Sequence, residues 1–286
     1  MRSDIEFLGL EDAGMPGRFT FQVQSHLARL DGYLYGGTAI AASMVSAEEL
    51  TGRETVWMTT LFVATAPPGE TVSIHAEILA AGRRTNQVRV TGIDGAGATM
   101  FASLGTTGHR RQGGIEGVFE SMPEVTSPDD SPVLDGLFAK VMQNAGYDQM
   151  PPVPQKASFL STMEMRDPEV RSHPDDGPGR LCVWVRRRDR RPITPAMVAY
   201  MADVVPLSVA HAAGVVAGGV SLDNSIRVGS HTDTEWVLLD LRPHMATGDY
   251  GHGVVHAWSE QGGLLATAGQ SASMKNFDMD NLPWEQ

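Results

Sequence analysis

An internal repeat constrains the fold of this chain more than any other feature. Four strand-like stretches run between about residues 56 and 104, and four more between about 220 and 274. In Thr71-Val-Ser-Ile-His-Ala-Glu-Ile78 the apolar residues fall at every second position, as a half-buried strand requires. Val88 and Val90 alternate in the same way, and so do Met100, Ala102 and Leu104. Asp94-Gly-Ala-Gly97 separates those last two stretches and reads as a hairpin turn. Sliding the halves by 165 residues puts Trp57 on Leu222, Gly97 on Gly262 and Gly108 on Ser273 without a gap. Glu260-Gln-Gly-Gly263 then occupies the matching turn. Identities are few, so the agreement of strand pattern with turn position carries the case for duplication.

A helix precedes each set of strands. The first covers Thr38 to Leu50, after Gly36-Gly37; the second covers residues 194–213. One helix followed by an antiparallel sheet, twice over, is an α+β plan in which each helix covers the apolar face of its own sheet. The two sheets are expected to join edge to edge, because exposed sheet edges must be covered. The predicted units are 1–110 and 158–286, joined by a surface-packed connection over 111–157. That connection holds the turn-rich run Ser127-Pro-Asp-Asp-Ser-Pro132, a possible amphipathic helix near Leu134–Met142, and Met150-Pro-Pro-Val-Pro154.

The second helix carries a lone acid. Thr194 suits an N-cap and Pro195 the first helical position. Met197, Val198, Met201, Val204, Val205, Leu207 and Val209 are apolar on nearly every face, which implies enclosure by protein. Asp203 lies in the middle. A carboxylate there is costly unless paired or hydrogen-bonded, so its environment compensates it or shifts its proton affinity. Pro206 should break the helix locally, and Asp203 could serve donors freed there or pair with the run Arg186–Arg191.

The 286 residues carry a net charge of −12, which disfavours overall attraction to nucleic acid or to anionic membranes. Asp203, Pro206, His211 and several glycines interrupt the longest apolar stretch, which therefore reads as core and not as a membrane span. Cys182 is the single cysteine, so no intrachain disulfide forms; a reducing, cytoplasmic setting is expected. The N-terminus lacks the apolar core of a signal peptide. There is no Gly-x-Ser-x-Gly, no P-loop, no dinucleotide fingerprint and no His-Glu-x-x-His. Neither a metal nor a nucleotide cofactor is expected.

Taken in order, Gly36-Gly37, Trp184-Val-Arg186, Ala199-Tyr-Met-Ala-Asp203, Ser221-Leu-Asp-Asn-Ser225 and Gly269-Gln270 resemble the type II acyl-CoA thioesterases. These are double hotdog proteins, two fused modules each with a long central helix wrapped by an antiparallel sheet. The resemblance covers about 15–110 and 158–277. It implies a catalytic set of Asp203, Ser221 and Gln270 that holds and activates a water, with Asp203 as base. It implies acyl-CoA as substrate and a homodimer. Gly36 and Gly37 are expected to approach the substrate through their backbone, and an amide there to steady the oxyanion. Arg186 and its neighbours could grip CoA phosphates, although a solvated charge run fits as well. The chain departs from the family at Asn224, where a His is usual, and in the following Ile226-Arg-Val-Gly-Ser230.

Two rivals are weighed. Hotdog hydratases carry an Asp followed five residues later by His; here position 208 is Ser. A non-catalytic acyl-CoA binder could keep the fold, since fold does not imply activity.

Overall fold

The computed structural model describes residues 2–111, 113–147, 158–173, 177 and 179–278. The first half contains α1 (Arg2–Leu8), β1 (Glu11–Asp12), β2 (Arg18–Gln22), α2 (Gly36–Thr51), β3 (Glu54–Phe62), β4 (Thr71–Ala81), β5 (Thr85–Ile93) and β6 (Thr99–Gly108). Next come β7 (Glu124–Val125), β8 (Val133–Leu134), α3 (Leu137–Asn144), β9 (Met163–Arg166) and β10 (Val170–Ser172). The second half continues with β11 (Leu181–Arg187), α4 (Pro195–Ala202), α5 (Val205–Ala213), β12 (Ala217–Val228), β13 (Val237–Thr247), β14 (Tyr250–Ser259) and β15 (Leu264–Asn276).

Among the described residues thirteen strands form one antiparallel sheet, in the order β1-β2-β4-β5-β6-β3-β12-β15-β14-β13-β11-β9-β8. The expected edge-to-edge join is the β3–β12 pair, where Met58 faces Ile226 and Thr60 faces Asn224. Joining there removes the free edges that two separate sheets would expose.

The registers carry the repeat further than the sequence does. Bulges interrupt β4 between Ile78 and Ala80 and β13 between Pro243 and Met245. Irregularities follow between Gly92 and Ile93 and between Ala257 and Trp258. Both pairs of positions are 165 residues apart. Gly97 and Gly262 turn the matching hairpins with φ of +85° and +81°, a conformation glycine enters without steric cost. The first strand of each set corrects the sequence alignment by one residue. The bulge in β3 lies between Thr55 and Trp57, and that in β12 between Ser221 and Asp223. Val56, not Trp57, therefore matches Leu222. In a strand one residue exchanges the two faces, so the correction decides which side chains point inward.

Residues 194–213 form two helices where one is expected. Thr194 caps α4, accepting the Met197 N–H at 3.2 Å, and Pro195 opens it. Pro206 has no N–H to give, and its ring excludes the Ala202 carbonyl from helical position. The chain leaves the helix at Asp203 (φ −80°, ψ 50°) and resumes at Val205. All of Ala196–Ala202 is buried, with α2 packed alongside α4. The span 195–213 is long and apolar enough to cross a membrane, yet most of it is buried inside this protein.

Of the connection, β8 extends the sheet beside β9, β7 pairs with β10, and α3 buries Leu137, Phe138, Val141 and Met142. The proline-rich residues 150–154 lie outside the described residues.

Met58 sits at the seam with no exposed surface. Truncation in Met58→Ala is expected to cost about 2–5 kcal/mol, as cavities at buried methionines do. Urea unfolding should show one transition, moved to lower denaturant, because the halves share a sheet. A separate early transition of the N-terminal half would contradict this.

Candidate active site

The helix break leaves the Asp203 side chain at the centre of the molecule, only 5% exposed. One carboxylate oxygen, Oδ1, accepts from Asn224 Nδ2 at 3.0 Å and from Gln270 Nε2 at 2.7 Å. The Gly37 N–H faces the same carboxylate and opposes the rise in its proton affinity. Burial away from water raises the Asp203 carboxyl to about 7, against the opposing pull of Asn224, Gly37 and the charge of Arg29.

The strands deliver the partners. Gln270 on β15 pairs with Asn224 on β12. The Gln270 Oε1 accepts the Val205 N–H at 3.2 Å, so Gln270 serves the donor freed by the helix break, a duty the sequence left open to Asp203. That bond fixes which way the amide faces. Nε2 is turned to Asp203 and, at 2.7 Å, to Ser221 Oγ. Ser221 and Asn224 are an odd number of residues apart and would occupy opposite faces of a regular strand. The bulge at Leu222 reverses the alternation, and both side chains turn inward. Ser221 therefore leaves the solvated face that it would share with Asp223, Ser225 and Arg227 in an unbroken strand.

The glycine pair has a steric cause. A Cβ on Gly36 would fall within 3.0 Å of Asp203 Oδ2 and Phe62, and one on Gly37 would meet the Tyr200 carbonyl and the Tyr35 ring at 2.5 Å. Only glycines let the start of α2 come this close to the end of α4. Tyr35 adds a clamp, donating its hydroxyl to the Asp203 carbonyl at 3.1 Å while stacking on Phe159 with centroids 3.9 Å apart.

Asp203, Ser221 and Gly36 line a cavity of about 890 Å³, together with Phe62, Leu160 and Leu207. The structure thus assembles Asp203, Ser221, Gln270, Gly36 and Gly37. It does not bring Arg186 to this cavity. Arg186 lies over the Trp236 ring at 4.1 Å and binds Glu164 and Glu235. Arg187 pairs with Asp4 and Asp189, Arg190 with Glu164 and Glu235, and Arg191 with Glu6. The basic run ties α1 and β9 to the end of β11, and its acidic partners were invisible as a pattern in the sequence.

In the sequence Asn224 stands out only as a departure from the family; its contact with Asp203 depends on the bulge. In the first half the counterparts of Ser221, Asn224 and Gln270 are Thr55, Met58 and Gly105, with Met58 facing Gly105 as Asn224 faces Gln270. A methionine and a glycine offer no polar group there, so the duplication carries one such site.

A second polar cluster joins His173, Cys182 and Asp240, whose potential ligand atoms lie within 4.8 Å of one another. Asp240 already holds His173 at 2.8 Å and Arg242 at 2.8 Å, and burial pushes the Cys182 thiol up to about 12. A protonated thiol and a carboxylate occupied by guanidinium make a poor cation site.

Comparison with known proteins gives a consistent picture. Residues 27–108 match an acyl-CoA thioesterase N-terminal domain, and residues 136–274 match an acyl-CoA thioesterase C-terminal domain. No curated protein matches the sequence. A structure of a candidate thioesterase from Novosphingobium aromaticivorans is 29% identical, with a TM-score of 0.79, covering 93% of this chain and 98% of that one. A hot dog fold protein of unknown function from Alicyclobacillus acidocaldarius is 19% identical, with a TM-score of 0.78 over 97% and 100% of the two chains. An acyl-CoA thioesterase II from Mycobacterium marinum is 20% identical, with a TM-score of 0.71 over 96% and 99%. The last two speak to the double hotdog fold alone.

The raised carboxyl makes stability depend on pH. Its folded value of about 7 exceeds the ordinary 3.8, so folding favours the protonated form. That contribution is fully present below about 4 and lost as pH rises through about 7. Asp203→Asn cannot ionise and lacks this slope. The stability of the parent minus that of Asp203→Asn should therefore fall between pH 4 and 7 and level off above. Urea unfolding at several pH values measures it; a difference independent of pH would contradict the assignment.

Proposed function

This chain belongs to the acyl-CoA thioesterase family, and from that premise we propose how it hydrolyses an acyl-CoA to a free acid and CoA. Asp203 is the general base. A water in the cavity gives one proton to the Asp203 carboxylate and accepts the Ser221 hydroxyl, which leaves a lone pair directed at the thioester carbonyl carbon. Gln270 fixes Ser221 and Asp203 relative to each other, lowering the entropic part of the barrier. As the carbon–oxygen bond forms, negative charge collects on the carbonyl oxygen. The first-turn amide of Gly36 has no intrahelical partner and stabilises that charge at the positive end of α2. The carbon–sulfur bond then breaks, and the proton held on Asp203 passes to the thiolate. A carboxyl near 7 suits both halves of this exchange, because an ordinary thiol titrates near 8.5.

The observation that carries the proposal is the single hydrogen-bonded unit in which Gln270 ties Asp203 to Ser221, the latter two lining one cavity. Phe62, Leu160 and Leu207 suit an acyl chain by their apolar surface. The same proposal draws the units as 1–110 and 158–286, with the connection 111–157 packed on the second through α3. It includes a homodimer, supported by apolar side chains exposed beside the seam, among them Leu61, Leu104 and Leu222. It also includes a reducing, cytoplasmic setting, supported by the lone buried thiol of Cys182.

Asp203→Asn removes the base. Turnover of acyl-CoA should fall by roughly 10²–10⁴, the usual contribution of general-base catalysis, with acyl-CoA still bound. Single-turnover release of CoA thiol and a binding titration on the same sample measure the two effects. A folded variant that hydrolyses at the parent rate would end the assignment.

A further inference from the structure

We infer that Asn224 is a positioning residue for Asp203: the buried β12 amide holds the carboxylate and follows its change of protonation by turning over. The inference rests on the reading of Asp203 as the base.

Asn224 is 1% exposed and sits at the seam, between Thr60 of β3 and Gln270 of β15. It donates Nδ2 to Asp203 Oδ1 at 3.0 Å, while its own Oδ1 is buried with no partner among the described residues. A buried amide oxygen without a bond carries a desolvation cost. The contrast with Gln270 explains it. Gln270 uses both ends of its amide, accepting Val205 N–H and donating to Asp203 and Ser221, so turning it would break all three bonds. Asn224 uses one end only. With Nδ2 forward it supports the carboxylate. With Oδ1 forward it accepts the proton of the carboxylic acid.

Of the two side chains hydrogen-bonded to the Asp203 carboxylate, Asn224 has the unused acceptor. Gln270 Nε2 and Gly37 N–H, which also face the Asp203 side chain, are donors. Around Asp203 stand Tyr35, Gly37 and Arg29 from α2 and the segment before it, Ser221 and Asn224 from β12, Gln270 from β15, and Tyr200 from its own helix. Burial pushes both tyrosines up. Asp203 is therefore the member of this group that titrates in the neutral range, and Asn224 is the neutral group that adapts to it.

Two substitutions test this in the full chain. Asn224→Leu keeps the branched heavy-atom shape and removes donor and acceptor. Asn224→Asp keeps the shape and puts a second carboxyl against the first. In Asn224→Leu the acid-side midpoint of the kcat/KM profile should rise by about one pH unit, roughly a tenfold loss below the midpoint, because the bond lost from the carboxylate is stronger than the one lost from the neutral acid. In Asn224→Asp it should rise further, because two carboxyls sharing a site resist double ionisation. KM should change little. Carbon-13 NMR of labelled aspartate carboxyls, with Asp203 assigned through Asp203→Asn, should give midpoints in the same order without requiring turnover. Should Asn224→Leu fail to fold, the nearly isosteric Asn224→Asp carries the test. Folded variants whose Asp203 midpoint equals that of the parent would overturn the inference, while an inactive Asp203→Asn would still uphold the base. If Asp203→Asn kept full activity, the base reading would fail, and the NMR order would judge the positioning role alone.

Discussion

Everything at the centre of this protein depends on keeping one carboxylate out of water without leaving it unpaired. Isolated burial of a charge is prohibitive, and a group in that position neutralises instead. Here the cost is divided. Asn224, Gln270 and the Gly37 N–H surround Asp203 with donors, and burial still lifts the carboxyl to about 7. The donors come from three separate elements, so none of this exists until α2, α4, β12 and β15 have packed together. The break at Pro206 is part of the same device. It ends α4 at the carboxylate and frees the Val205 N–H that locks the Gln270 amide in its working orientation.

Fusion of two modules makes this arrangement possible. The second half supplies Asp203, Ser221, Asn224 and Gln270, and the first supplies the approach of α2 through Gly36 and Gly37. The β3–β12 seam fixes the two halves relative to each other. At the corresponding place in the first half, Met58 and Gly105 fill the space with apolar packing. Duplication thus produced two positions, one of which became core and the other a polar site.

Much of this was legible in the sequence. Period-two alternation and the two glycine turns located the sheets, because burying one face of a strand imposes that period whatever the tertiary context. An apolar segment interrupted by a single acid marked Asp203, since no structural economy places a lone carboxylate there by default. Less visible were features that depend on one residue of register. The bulge at Leu222 inverts the alternation of β12, whereas an unbroken strand would put Ser221 on the face of Asp223 and Ser225, away from Asn224. The offset of Trp57 on Leu222 was wrong by that same single residue. The arginine run misled for another reason: its carboxylate partners Asp4, Glu6, Glu164 and Glu235 are distant in sequence, and only folding shows that Arg186 is already occupied.

The central claim is that Asp203 acts on water as a base and does not attack the thioester itself. A single turnover in H₂¹⁸O with enzyme in excess, run beside hydroxylamine trapping of any acyl-Asp203 anhydride, separates the two. Base catalysis predicts that the released acid carries one ¹⁸O from solvent and that the Asp203 carboxylate stays unlabelled. An unlabelled acid with ¹⁸O in Asp203 would mean that the carboxylate had formed a covalent anhydride, and would contradict the account.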